Sequence, residues 1–123
     1  MTTLTEGRHA GGFLVWETSR DYTRDTVTLA SGAGKLEPGT VLGKITTGGK
    51  FTQLTPAASN GSQNAAGILW GPADSTAADA TAVVVLRGPA IVNRYELVWP
   101  EGATEPQIAA ATAALTALGI LLR

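Results

Sequence analysis

The chain has 123 residues, the size of one domain with a real core but a thin stability margin. Hydrophobic residues make up 44% and charged residues only 15%, against roughly 25% charged in an average soluble domain, so the surface is unusually neutral and favours association between copies. Nine scattered Lys and Arg face ten acids, and there is no cysteine, which excludes the basic stripe of a nucleic-acid binder, disulfides and thiolate chemistry.

No apolar run approaches the roughly 18 residues of a membrane span. Met1 to Glu6 lacks the basic start and apolar centre of a signal peptide. The absence of cysteine fits synthesis in a reducing cytoplasm.

Residues 1–24 differ from the rest. Thr2, Thr3, Thr5, Gly7, Gly11 and Gly12 make a flexible beginning, and Phe13-Leu14-Val15-Trp16 is a brief apolar run before polar Glu17 to Arg24. The segment has no helical period and is long enough for one short strand. It is expected as an N-terminal arm, flexible until bound, with residues 25–123 as a single β-rich domain. The alternative is an ordinary first strand packed on that domain.

From Asp25 the pattern is β. Thr26-Val27-Thr28-Leu29-Ala30 alternates, with Val27 and Leu29 on one face. Ser31-Gly32-Ala33-Gly34 is a turn. Glu37-Pro38-Gly39-Thr40 suits a type II turn, with proline presetting φ and glycine accepting positive φ at the next position. Val41 to Thr46 is a strand, and Thr47-Gly48-Gly49-Lys50 reads as a hairpin turn into Phe51 to Leu54. After a loop over 56–64, Ala65 to Trp70 is a buried strand in which Gly67 permits close approach. Thr81 to Leu86 is β-branched and buried in character. Ala90 to Asn93 resumes the pattern, and Tyr95 to Trp99 is expected as a strand stopped by Pro100.

The ending changes period. Thr104 and Gln107 form a capping box, Pro106 is tolerated in the first turn, and Gly119 fits the C-terminal cap. Ile108, Ala111, Leu115 and Leu118 fall three or four apart and are expected on one face of a helix of about fourteen residues, ~21 Å long. Ile120-Leu121-Leu122 is expected to add a short strand or fill a groove.

Chemistry-bearing patterns are few. His9 is the only histidine and lies among glycines, which argues against a rigid triad or a metal site that needs several ligands. Asp21 and Asp25 each neighbour an arginine and read as solvated charges, not as paired acid and base. Ser31 to Lys35 lacks the full spacing of a phosphate loop and is a turn. No catalytic residue, cofactor or metal is expected. The tryptophans stand out instead: Trp99 as a packing anchor, and Trp16, within the arm, as a contact formed on binding.

The order of these parts resembles the lambda-type bacteriophage head decoration proteins. The resemblance runs through most of the chain after the arm: the β-rich body, Ala66-Gly67-Ile68-Leu69, two late strands, Tyr95 to Trp99-Pro100-Glu101, one helix and an apolar end. Leu4-Thr5-Glu6-Gly7-Arg8-His9 and Leu36-Glu37-Pro38-Gly39-Thr40-Val41-Leu42-Gly43 are also similar to starts and turns in that group.

The resemblance implies a β-clip-like fold, mainly β with one C-terminal helix (α+β). It implies a homotrimer at threefold sites on the outer surface of the expanded head, made in the host cytoplasm, cementing the shell against internal DNA pressure without touching nucleic acid or membrane. The partners would be the chain itself and the major capsid protein. Capsid contacts are expected in the arm, at Leu4, His9, Phe13, Leu14, Val15 and Trp16. Tyr95, Trp99, Pro100, Leu115, Leu118 and Ile120 are expected at the trimer interface or as core anchors. The alternatives are another trimeric phage module binding a receptor or glycan, and a nucleotide hydrolase on a β-clip scaffold. The second would need clustered acids and a phosphate loop.

Overall fold

A computed structural model of the chain describes residues 9–123. Two β layers and one helix enclose two apolar clusters. The first layer is a closed barrel of β2 (Arg24–Leu29), β5 (Phe51–Gln53), β4 (Val41–Lys44), β6 (Ala65–Leu69) and β8 (Ala80–Val85), in that order. The second is a three-stranded sheet, β1 (Leu14–Glu17), β9 (Ala90–Val92) and β10 (Ile120–Leu122), in which β9 is central. Helix α2 (Glu105–Ala117) lies against β6 and β10. A four-residue helix, α1 (Arg20–Thr23), and a short pair, β3 (Lys35–Leu36) with β7 (Ala73–Asp74), complete the frame. The fold is thus mainly β with one long C-terminal helix, the α+β class expected from the sequence.

The barrel explains why some strands read as unbroken apolar runs. Leu42, Leu69 and Val84 point into one cluster with Leu29, Phe51 and Ala82. Their neighbours Val41, Ile68 and Val85 point the other way, into a second cluster with Phe13, Val92, Leu115, Ile120 and Leu122. A strand covered on both faces has no polar alternation to show. Each such side chain contributes on the order of 1.5–3 kcal/mol when fully buried.

The local signals hold where their physics is local. Thr40 N–H donates to the Glu37 carbonyl at 3.2 Å, and Gly39 has φ +92°, the backbone of a type II turn that a Cβ would strain. β4 and β5 pair antiparallel across the Gly48-Gly49 turn. Ser31 to Gly34 is a turn docked through the Gly32 N–H on the Ser75 carbonyl at 2.7 Å. The Thr104 hydroxyl accepts from Gln107 N–H, while the Gln107 side chain accepts from Thr104 N–H, completing the capping box. Ile120–Leu122 joins β9 in parallel, so the apolar end adds a strand.

Two expectations change. Tyr95 to Trp99 is not a strand. Asn93 caps a 3-10 turn over Arg94–Glu96: its side chain accepts from Tyr95 N–H and its carbonyl from Glu96 N–H, both at 3.0 Å. Those local bonds satisfy backbone groups that a ladder would otherwise take. Only Val98 then touches a strand neighbour, Thr40. Leu118 leaves the buried face of α2. Ala111 and Leu115 are buried, whereas Leu118 is the C-cap and is 36% exposed, because the helix ends there and turns through Gly119.

Candidate interaction surface

The N-terminal segment enters the body through packing. Phe13, expected at the capsid, is buried in the core and meets Trp70 edge-on, with ring centroids 6.1 Å apart. Gly11 lies under the same indole: its N–H donates to the Trp70 carbonyl at 2.9 Å, and a Cβ there would fall 2.0 Å from the ring. Residues 14–24, expected within the arm, form β1, α1 and the start of β2. Leu4 lies outside the described residues, and His9 is exposed.

An ionic cluster binds β1 to the barrel. The Arg24 guanidinium stacks 3.4 Å from the Trp70 ring centroid and pairs with Glu17. The Thr23 hydroxyl also donates to Glu17 Oε2, at 2.6 Å. Burial pushes the Glu17 carboxyl up, but the hydrogen bonds from Arg24 and Thr23 and the charges of Arg24 and Arg20 outweigh it, leaving the group below the ordinary glutamate range. A depressed carboxylate contributes stability above its unfolded pKa, about 4.3 for glutamate, and loses it as pH falls through the folded value. Glu17→Gln is therefore expected to lower the melting temperature at pH 7, with the gap to wild type closing in acid below that range. Melting curves across pH check this; a gap independent of pH would count against it.

The outer face of the three-stranded sheet is apolar. β1 carries a register shift between Leu14 and Trp16, so Val15 is the extra residue of a bulge. The bulge breaks the alternation, and adjacent Val15 (62%) and Trp16 (50%) are both exposed. Leu14 instead pairs with Val92 on the half-buried inner side. Trp16 and Leu121 both pair with Ile91, and paired residues share a face. Trp16, Ile91 and Leu121 thus form one row across the sheet, with Leu121 43% exposed. Beside it, β1 is an edge strand with one side unpaired in the sheet. Leu121 could not be picked out from sequence, because nothing in Ile120-Leu121-Leu122 says which residue faces away from the core.

A second surface lies round the corner. Tyr95 is 84% exposed and, with Arg94, Trp99, Ile108, Thr112 and Leu122, lines a cleft of about 230 Å³. Trp99 and Pro100 are half-buried, and Trp99 packs against the core cluster. Leu115 and Ile120 are core residues with no exposure. The outward side of α2 carries Ala109, Ala110, Ala113 and Ala117, and no charged residue stands between Glu105 and Arg123. Among the described residues no group of His, Asp or Glu is placed to hold a metal ion. Among these residues no helix is long and apolar enough to cross a membrane.

A family model described as Bacteriophage lambda head decoration protein D matches residues 3–120. The chain belongs to this head decoration protein family. No curated protein matches the chain. Membership makes it a structural protein of the phage head, associated with the capsid. In a head decoration protein the surfaces that matter are those that meet other subunits. Exposed aromatics beside arginine, as at Tyr95 and Arg94, have the composition of interface anchors.

Proposed function

We propose that the protein is a trimeric cement protein, seated at threefold positions on the outside of the expanded head and holding the shell against the pressure of packaged DNA. The observation that carries the capsid contact is the apolar row Trp16–Ile91–Leu121 beside the unpaired edge of β1. An exposed edge accepts a strand of the major capsid protein through main-chain bonds, and the neighbouring apolar row supplies burial and register. The Tyr95 cleft and the uncharged alanine side of α2 support contacts between copies. Each β1 edge alone gains modest affinity, whereas three on one trimer act together because the later contacts are intramolecular.

The test is decoration of expanded shells by wild type and by a Val15→Asp/Trp16→Asp double variant. Both positions are exposed, so the variant keeps its fold by circular dichroism. It is expected to lose shell binding by at least about 30-fold, as when an interface anchor worth ~2–4 kcal/mol is removed. Saturation of shells by the variant at wild-type concentration overturns the proposed contact. Deleting residues 1–16 would be a poorer test, because it removes Phe13 from the core. Light scattering on the free protein is expected to give three times the 12.6 kDa of one chain.

A further inference from the structure

The barrel is closed by a single residue pair at one seam, and the seam opens into a groove. β2 and β5 pair in parallel only at Leu29 and Phe51. Towards the start of β2 the two strands part, and a groove of about 520 Å³ lies between β2 and the β4–β5 hairpin.

The main chain of β2 is turned into that groove at alternate residues. The Val83 carbonyl accepts from Trp70 N–H, so Val83 turns its main-chain groups towards β6. Its neighbours Ala82 and Val84 therefore face β2, where their partners are Val27 and Asp25. Thr26 and Thr28 must turn theirs the opposite way. Ala30, next in that series, does so: its N–H donates to the Phe51 carbonyl at 2.7 Å. The Thr26 N–H is met by a carboxylate oxygen, Asp25 Oδ1 at 2.9 Å. An incoming strand would replace that local bond to use the Thr26 N–H.

The groove is also mainly cationic. Lys44, Lys50 and Arg87 line it, against Asp25. Lys50 is paired with Asp79 at 2.6 Å. Among the described residues neither Lys44 nor Arg87 has a carboxylate partner. Arg87 is held in place by donating to the Tyr22 carbonyl and by lying over the Tyr22 ring, 5.5 Å from its centroid. In a chain with only nine Lys and Arg, three at one groove is a local concentration of positive charge.

We propose that this groove is a second docking site, distinct from the β1 edge, and that its occupant is an extended acidic segment of a partner protein. The segment aligns beside Thr26 and Thr28 as a short added strand, and its carboxylates meet Lys44 and Arg87. A strand fits this site better than nucleic acid, because the groove offers a spaced main-chain edge and the one aromatic in its lining, Phe51, is buried and offers no platform for base stacking.

The test uses the full chain labelled with nitrogen-15 and three probes: a capped peptide alternating threonine and glutamate, its threonine–lysine counterpart, and a thymidine oligonucleotide. The acidic peptide is expected to shift the Thr26 and Thr28 amide resonances saturably, while the lysine peptide leaves them unmoved. Lys44→Glu, which removes no side-chain hydrogen bond among the described residues, is expected to weaken the acidic peptide by about tenfold or more. Arg87→Gln gives an independent second reading. Absence of saturable shifts at millimolar peptide, equal binding of the lysine peptide, shifts mapping away from the groove, or tighter binding of the oligonucleotide would each overturn the proposal. Because this site is separate from Val15 and Trp16, its failure leaves the β1 contact untouched, and the converse holds.

Discussion

Phe13→Ala is expected to destabilise the protein by about 3–5 kcal/mol, the usual range for emptying a buried phenylalanine site. That is a large part of the ~5–15 kcal/mol that holds a typical domain together, and corresponds to roughly 10–25 °C in melting temperature. Phe13 is 2% exposed, sits in the cluster with Val92, Ile120 and Leu122, and meets Trp70 edge-on. Removing the ring leaves a cavity at the junction of β1, β6 and β9 and loosens the stack that continues through Trp70 to Arg24 and Glu17. The result also separates two pictures of the N-terminal segment. If residues 9–17 were an arm without contacts in the free protein, Phe13→Ala would leave thermal unfolding unchanged while capsid binding fell. A drop in melting temperature, with Val15→Asp and Trp16→Asp thermally near neutral, places the segment in the body with only its outer residues offered to a partner.

Leu115→Asp is expected to abolish folding, whereas Leu118→Asp, one turn on, leaves a folded chain. Leu115 has no exposure and lies in the cluster between α2, β6 and the three-stranded sheet. Truncating such a leucine alone costs about 2–5 kcal/mol. A carboxylate there must also lose its hydration without a partner or take up a proton, which costs several kcal/mol more. The sum approaches the whole stability of a domain this size. Leu118 is the half-open C-cap, where an aspartate stays in water, though it meets the negative end of the helix dipole at a cost of about 0.3–1 kcal/mol. Far-UV circular dichroism and urea unfolding of both variants decide the matter. A folded Leu115→Asp monomer would show that Leu115 serves an interface and not the core.

Several elements were legible because their physics is local. Pro38-Gly39 meets the demands of a type II turn within four residues, Gly48-Gly49 those of a hairpin, and Thr104 with Gln107 those of a capping box. Each is decided by backbone groups that find their partners inside the same short segment. The mainly β class with one closing helix follows from the same signals. So does the family likeness, which depends on the order of these parts along the chain.

What lay beyond the sequence depends on partners far away in the chain. Phe13 to Trp16 is one apolar run, yet Phe13 is core and Trp16 is surface, because a bulge opposite β9 shifts the alternation at Val15. Tyr95 to Trp99 has the composition of a strand, but the Asn93 cap closes its first half into a 3-10 turn, leaving Tyr95 exposed. The apolar row Trp16–Ile91–Leu121 gathers residues from three separated segments, and the groove beside β2 exists only because β2 and β5 part after one pair. The amino-acid order by itself determined which segments turn, cap and bury. Strand pairing alone decided which side of each segment is left for other molecules, because pairing sets the register and a one-residue change of register exchanges the two faces.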